Sequence, residues 1–136
     1  TTWDDPACCY ESMGCIKTDG TLWTWGNNGP SGQLGHNNRT NYNSPKQVPG
    51  TTWAHLYGNY GNSPSDGSYL ATKTDGTLWS WGYNGSGVLG LSQSTPNYSS
   101  PQQIGSSTSW KLDRHAFAIS QITSIGIQQA LTPSQL

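Results

Sequence analysis

The chain has 136 residues, enough for one modest domain, and a formal net charge of −1 at pH 7. Charged residues make up only 10% of it, well below the roughly 25% of typical soluble domains. No cluster of lysines and arginines is present to neutralise phosphates, so the composition argues against a nucleic-acid partner. No apolar run approaches the length of a membrane span. The neutral surface, rich in Asn, Ser, Thr and Gly, predicts an extracellular protein of a cell surface or a virion.

Three cysteines, Cys8, Cys9 and Cys15, lie close together near the start of the chain. Two alternatives remain open for them. Either Cys15 forms a disulfide with Cys8 or with Cys9, and the remaining cysteine is free to link subunits, or all three are reduced thiols with Cys15 buried. Their spacing is not the paired C-x-x-C of zinc sites, and the three histidines are scattered. We therefore predict no metal site and no cofactor.

The next element occurs twice. Residues 17–26 read Lys-Thr-Asp-Gly-Thr-Leu-Trp-Thr-Trp-Gly, and residues 73–82 differ from them only by Ser in place of the last Thr. A recurring segment of this kind indicates an array built from one supersecondary unit. It predicts equivalent hairpins over residues 12–25 and 68–81.

Each copy contains an Asp-Gly pair, Asp19-Gly20 and Asp75-Gly76. Asp-Gly between two strand-like runs predicts a hairpin with a type I′ turn. The two carboxylates could also be considered as an acid–base pair. Since Asp has its own conformational reason to stand in such a turn, we predict structural turn residues and no catalytic residue.

Each copy also contains a pair of tryptophans, Trp23 with Trp25 and Trp79 with Trp81. Aromatic side chains on alternating positions suit a half-buried strand. They could form stacking platforms for carbohydrate, but platforms are expected in loops rather than at the same position of every repeat. We therefore predict that the four indoles pack between neighbouring sheets, with Trp25 and Trp81 mostly buried.

A Gly-rich turn follows each tryptophan pair, over residues 26–35 and 82–90. The whole pattern reads Asp-Gly-x-Leu-Trp-x-Trp-Gly-x-Asn, then Gly-x-Leu-Gly, then Pro-x-Gln-Val or Pro-x-Gln-Ile. It covers about residues 12–110 and resembles the regulator of chromosome condensation repeat family, whose members form β-propellers. The resemblance implies an all-β fold of tandem propeller-type blades.

Three tryptophans mark the starts of successive repeats. They are Trp3, Trp53 and Trp110. The resemblance therefore implies a single repeat domain over 1–136, with units at 1–50 and 51–107 and a partial unit at 108–136. The second unit is longer before its hairpin, which predicts an insertion around Gly58–Gly67. Two complete units and one partial unit are too few to close a ring, so the fold is expected to be an incomplete propeller.

Three sequons predict weak candidates for N-glycosylation. They begin at Asn38, Asn84 and Asn97. The chain is so rich in Asn, Ser and Thr that sequons of this kind arise by chance, and they carry little weight.

The open edges of an incomplete propeller indicate a function. Such edges favour pairing with other chains, and the uncharged tail at residues 119–136 is a candidate for strand donation to another copy. We therefore predict a structural or adhesive subunit of an extracellular fibre, surface appendage or phage particle, with itself and glycans as partners. The alternatives are a protein-interaction module resembling regulators of small GTPases, and a glycan-binding module. With no readable Ser-His-Asp or Cys-His arrangement, no enzyme is predicted.

Overall fold

The computed structural model describes residues 1–61, 63 and 65–111, which form two four-stranded antiparallel sheets. The first contains β1 (Trp3–Cys9), β2 (Ser12–Lys17), β3 (Leu22–Gly26) and β4 (Tyr42–Val48). The second contains β5 (Trp53–Asn59), β6 (Ser68–Lys73), β7 (Leu78–Gly82) and β8 (Tyr98–Gln103). Strands pair in chain order within each sheet, which is the arrangement of a propeller blade. The all-β fold and the incomplete propeller are therefore confirmed.

The described part contains one other regular element, a short 3-10 turn at Gly85–Gly87. Across residues 1–61, 63 and 65–111, no helix has the length and apolar character needed to span a membrane. The absence of a 3.6-residue apolar pattern in the sequence explains why strands and turns account for this part of the chain.

The two predicted hairpins are confirmed, but their turn type is not I′. Gly20 has a φ of +79°, whereas Asp19 has no positive φ. Lys17 N donates to the Thr21 carbonyl at 2.9 Å, and Gly20 N donates to the Lys17 carbonyl at 2.9 Å. This is a three-residue loop, a type I turn completed by a left-handed glycine. The same two bonds recur in the second sheet.

The reason for the turn type lies in the aspartate. Asp19 Oδ1 accepts hydrogen bonds from Thr21 N at 3.0 Å and from Thr21 Oγ1 at 2.6 Å. Asp75 accepts the equivalent pair from Thr77 at 3.0 and 2.7 Å. An aspartate that bonds to the backbone two residues ahead forms an Asx-turn, and only the following glycine needs positive φ.

The two sheets share one apolar core, because β5 lies against β1 and β2. Its buried residues come from both sheets. They are Cys9, Ile16, Leu22, Val48, Trp53, Leu56, Tyr69, Ala71 and Trp81. Gly14 allows the close approach, since a Cβ at this position would lie 2.6 Å from Leu56 Cδ2. The first sheet is therefore shaped to receive the second.

The sheets differ where their first two strands connect. Only Tyr10 and Glu11 join β1 to β2, whereas residues 60–67 join β5 to β6. The insertion predicted around Gly58–Gly67 is confirmed. The division into units at 1–50, 51–107 and 108–136 stays a prediction. The tail at 119–136 lies outside the described residues.

Candidate interaction site

The first tryptophan of each predicted pair is fixed by its neighbours. Trp23 Nε1 donates to Thr21 Oγ1 at 2.9 Å, and the Lys17 ammonium lies 4.1 Å from the Trp23 ring centroid. Trp79 is held in the same way, with its Nε1 2.8 Å from Thr77 Oγ1 and an ammonium 3.9 Å from its ring. Cation–π contacts of this kind hold both indoles in the scaffold.

The second tryptophans of the two pairs, Trp25 and Trp81, lie in different environments. Trp81 is fully buried, and its Nε1 donates to the Gln33 carbonyl at 2.8 Å. The ring also lies against Gly35, where a Cβ would come within 2.9 Å of Trp81 Nε1. Trp25 is only half-buried, because among the described residues no sheet covers it. The prediction that both are mostly buried is confirmed for Trp81, which is fully buried, whereas part of the Trp25 ring stays exposed.

The two aspartates of the hairpins lie in turns of different sheets, each beside its own threonine. The Thr21 hydroxyl and backbone N–H lower the pKa of Asp19. The hydroxyl and the backbone N–H of Thr77 lower the pKa of Asp75 in the same way. Both carboxylates are therefore held ionised as turn acceptors.

The cysteines are free thiols, so the structure has the reduced alternative and no disulfide at Cys15. Cys15 is buried, and burial raises its pKa. Cys9 Sγ lies 2.9 Å from Ser12 Oγ, and burial raises its pKa as well. Neither thiol has the depressed pKa of a reactive cysteine. Cys8 is half-buried, and its Sγ lies 2.8 Å from the Tyr60 hydroxyl.

The three sequon asparagines make hydrogen bonds within the chain. Asn84 is fully buried, and its Nδ2 donates to the carbonyls of Gln93 and Pro96 at 2.8 and 3.3 Å. Asn38 Nδ2 donates to the His36 carbonyl at 3.2 Å, and Asn97 Oδ1 accepts from Asn84 N at 2.9 Å. A glycan on Asn84 has no room in this fold.

Sequence reasoning missed a structural role for the asparagines of the Gly-rich turns. Asn28 is fully buried, and its Oδ1 accepts a hydrogen bond from Leu34 N at 2.8 Å. Asn84 Oδ1 does the same for Leu89 N at 3.2 Å. Their equivalent places in the two Gly-rich turns were the signal that could have identified them.

The connections β1–β2, β3–β4, β5–β6 and β7–β8 all lie at one end of the sheets. We call this the loop end. It carries the insertion loop, residues 60–67, which is the largest departure of the second unit from the first. Loops held on a rigid scaffold are where binding residues concentrate.

The most exposed aromatic residue of the loop end is Tyr60, whose side chain is 65% exposed. The Cys8 thiol holds its hydroxyl, so the ring is fixed although it faces solvent. Ser31 Oγ donates to the Ser65 carbonyl, which ties the insertion loop to the first sheet. An open depression of about 420 Å³ lies beside Tyr60 between β1 and β5. Together these features form a candidate protein-interaction site.

The chemical groups nearby favour binding over catalysis. His55 Nδ1 lies 3.5 Å from Asp5 Oδ2, but the same Asp5 oxygen accepts a hydrogen bond from Leu56 N at 3.0 Å. This carboxylate therefore has a structural role between the sheets. In the described ranges, no three His, Cys, Asp or Glu side chains are grouped so that they could hold a metal ion.

Comparison with known proteins identifies the repeat. The model of the regulator of chromosome condensation (RCC1) repeat matches residues 19–54 and 75–119. An X-linked retinitis pigmentosa GTPase regulator homolog from Caenorhabditis elegans is 34% identical over 88 residues, covering 62% of this chain and 6% of that protein. Protein RCC2 from Homo sapiens is 32% identical over 98 residues, covering 72% of this chain and 18% of that protein. The chain thus spans less than a fifth of either relative.

Solved structures show the same fold. Prp20p from Saccharomyces cerevisiae, studied for its binding to Gsp1p and histones, superposes with a TM-score of 0.66 at 12% identity, covering 91% of this chain and 35% of that one. Human WBSCR16 superposes with a TM-score of 0.61 at 22% identity, covering 76% of this chain and 25% of that one.

These comparisons correct the predicted function. The subunit of a fibre, surface appendage or phage particle is wrong, and so is an adhesive role, because the matched relatives are a GTPase regulator homolog and RCC2 proteins. Self-assembly as the main partnership and the extracellular location are wrong for the same reason, since both were inferred together with the fibre subunit that these relatives exclude. The polar surface that suggested it is equally compatible with a protein-binding surface, which on average is no more apolar than the rest.

Proposed function

The chain belongs to the RCC1 repeat family, and on this premise we propose that it is part of a propeller that binds a small GTPase and regulates it. The observation that carries the proposal is the 34% identity to a GTPase regulator homolog. The fold shared with Prp20p, a protein that binds Gsp1p, supports it. The chain acts by binding its partner and not as an enzyme with a substrate of its own.

The contact surface is the loop end. Tyrosine is enriched in protein interfaces, because a large amphipathic ring contributes contact area with few rotatable bonds. Tyr60 offers such a ring beside an open depression. Apart from Asp5, the depression is lined by apolar and neutral polar residues such as Ala7 and Asn59, which suits a protein partner better than a highly charged ligand.

The surface is also pre-organised. The Cys8 thiol fixes the Tyr60 hydroxyl, and the Ser63 carbonyl accepts a hydrogen bond from Asp66 N at 3.0 Å within the insertion loop. A side chain that is already held in one conformation loses less conformational entropy on binding. The held Tyr60 ring therefore contributes affinity that a freely rotating ring would not.

The test is direct binding. The full chain is immobilised, and purified small GTPases are passed over it in GDP-bound, GTP-analogue-bound and nucleotide-free forms. We expect one GTPase to bind, with an affinity that depends on its nucleotide state. Tyr60→Ala should weaken binding about tenfold or more, equivalent to about 1.4 kcal/mol.

Thr74→Ala is the matched control, because Thr74 is exposed at the opposite end of the second sheet. This variant should bind as the unchanged chain does. If no small GTPase binds in any nucleotide state, the proposed function is wrong. If binding is unaffected by Tyr60→Ala but lost in Thr74→Ala, the function stands and the contact surface is the hairpin end.

A further inference from the structure

A cleft of about 290 Å³ lies in the seam between the two sheets. Of its lining residues, Gly35 and Trp53 are buried, whereas Asn37 and Pro49 are exposed, so the cleft has a closed floor and opens to solvent. The remaining lining residues complete its walls and are His36, Lys73, Trp79, Ser100 and Pro101. We call it the seam cleft. It shares no lining residue with the depression beside Tyr60, so it is separate from the contact surface proposed for a GTPase.

Hydrogen bonds hold the walls of the seam cleft in place. Trp53 Nε1 donates to the Pro49 carbonyl at 3.2 Å, and Asn37 N donates to the Ser99 carbonyl at 2.7 Å. The second of these bonds joins the first unit to the second. Because the walls are already held, a ligand does not have to open the cleft, and binding costs less ordering of side chains.

The positive charge of the seam cleft comes from one side chain. In the part of the chain that the structure describes, no carboxylate lines the cleft and none forms a salt bridge with the Lys73 ammonium. Asp75, two residues away, binds Thr77 instead. The ammonium lies 3.9 Å from the ring centroid of Trp79 and 4.8 Å from that of Trp53. An ammonium over indole rings keeps N–H donors that can meet an anion.

His36 adds no charge to the seam cleft at neutral pH. The Thr24 hydroxyl donates its one proton to the Leu34 carbonyl at 2.6 Å. His36 Nε2 lies 3.0 Å from the same oxygen and therefore carries the proton of their hydrogen bond. Burial lowers the pKa of His36 to about 4, which leaves the ring neutral. The lining is therefore apolar and neutral polar around a single ammonium group.

We propose that the seam cleft binds a small ligand with a flat apolar body and one anionic group, such as an aromatic carboxylate. The anionic group pairs with the Lys73 ammonium. The apolar body packs against Pro49, Pro101 and the indole of Trp79. Ligand sites in proteins have this composition, with apolar and aromatic walls and a few fixed polar groups that orient the ligand. A second charge on the ligand is disfavoured, because no lining side chain would neutralise it.

The first sheet provides an internal control for the seam cleft. The Lys17 ammonium lies 4.4 Å from the Trp3 ring centroid and 4.1 Å from the Trp23 ring centroid, which is the same arrangement of one cation and two indoles. Trp3 is 50% exposed, whereas Trp53 is 2% exposed, because the described residues form no walls over Trp3. If the walls create the site, the ligand binds beside Lys73 and not beside Lys17.

The test uses naphthoate as the ligand and the neutral naphthamide, of the same size and shape, as its control. Binding is followed by nuclear magnetic resonance of the isotopically labelled full chain, through the indole N–H signals of its seven tryptophans. We expect naphthoate to shift the signals of Trp53 and Trp79 to saturation. Those of Trp3 and Trp23 should stay unchanged. The amide should bind about fivefold more weakly, because it lacks the ion pair with a partly exposed ammonium.

Two variants separate the charge from the walls. Lys73→Met removes the ammonium but keeps an unbranched side chain over the indoles. This variant should bind naphthoate and naphthamide equally, at the affinity that the unchanged chain has for the amide. Lys17→Met is the matched control, because Lys17 has the same two indole contacts in the first sheet. It should keep the preference of the unchanged chain for naphthoate.

Three results overturn the proposal. One is an equal shift of the Trp3 and Trp23 signals at the same ligand concentration, which means that the ligand stacks on any exposed indole. Another is equal affinity of the unchanged chain for naphthoate and naphthamide, a result that does not depend on whether Lys73→Met folds. The third is that neither compound shifts the signals of Trp53 and Trp79.

Discussion

At the scale of single residues, the same amino acid has different roles in the two repeats because its surroundings differ. Trp25 and Trp81 occupy equivalent positions of nearly identical segments, yet only Trp81 is fully buried and hydrogen-bonded by its indole. Local sequence fixes the strand and its direction, whereas burial depends on which sheet lies opposite. Substitutions at these two positions therefore separate the two contributions.

We expect Trp81→Ala to lower the free energy of unfolding by about 3–5 kcal/mol, the range for removing a core aromatic side chain. Trp25→Ala should cost less, because the partly exposed ring leaves a smaller cavity and no unpaired partner. Equilibrium unfolding in urea measures both. Equal losses would mean that Trp25 is as well covered in solution as Trp81.

His36 gives a pH dependence at the same scale. Its Nε2 lies 3.0 Å from Thr24 Oγ1, and burial, with the Lys46 ammonium as a lesser cause, lowers its pKa from 6.5 to about 4. In the unfolded chain the imidazole takes up a proton near pH 6.5, but in the folded chain only near pH 4. The neutral imidazole therefore contributes stability above about pH 6.5 that is lost as the pH falls towards 4.

The measurement is urea unfolding of the chain and of His36→Gln at pH 7.5, 5.5 and 4. We expect the unchanged chain to lose stability relative to His36→Gln as the pH is lowered through this interval. Asp19 and Asp75 titrate in both proteins and cancel in the comparison. A difference in stability that stays constant with pH would contradict the lowered pKa of His36.

At the scale of elements, the hairpin turn also forms the junction between sheets. The Gly20 carbonyl accepts a hydrogen bond from Trp53 N at 3.0 Å, and the Gly76 carbonyl accepts one from Trp110 N at 3.1 Å. The turn of one unit thus positions the first strand of the next. This explains why the Asp-Gly pair recurs although the type I′ turn predicted from it is absent.

Gly20→Ala tests the junction. Alanine at a φ of +79° costs about 1–2 kcal/mol, and its Cβ would also meet the Thr51 carbonyl. Gly105→Ala is the matched control, because Gly105 has a φ of +61° but no atom within 4 Å of its Cβ position. In urea unfolding we expect the loss for Gly20→Ala to exceed that for Gly105→Ala. Equal losses would show that backbone strain alone, and not the junction, sets the cost.

The sequence predicts those elements whose signals lie within a short stretch of the chain. The hairpins, the insertion and the all-β class follow from repeated motifs and strand alternation, which are local signals. The contact between Tyr60 and Cys8 joins residues that are remote in the sequence. The partial exposure of Trp25 depends on which sheet lies opposite it. No spacing rule in the sequence reveals either feature. Composition was the weakest guide, because a neutral polar surface does not distinguish an extracellular protein from a protein-binding module.

At the scale of the whole molecule, the parts that repeat hold the blades and the part that does not repeat forms the candidate interaction site. The hairpins, the buried asparagines and the lysine–tryptophan contacts occur in both sheets. The insertion loop occurs in one. Because the strands that it connects pair along their whole length, the fold should not depend on it.

We therefore expect that replacing residues 60–67 by Asn-Gly, a two-residue hairpin turn without a tyrosine, leaves the chain folded. The lost contacts to Cys8 and Ser31 are peripheral, so the unfolding midpoint should fall by no more than roughly 4–8 °C, the effect of about 1 kcal/mol in a small domain. Binding to the GTPase partner should be lost, because Tyr60 is removed with the insertion loop, although the residues of β1 and β5 that line the depression remain. Trp81→Ala is the opposite control. This variant should be less stable, but at temperatures below its unfolding midpoint it should still bind. A shortened chain that still binds with unchanged affinity would place the contact surface elsewhere on the blades.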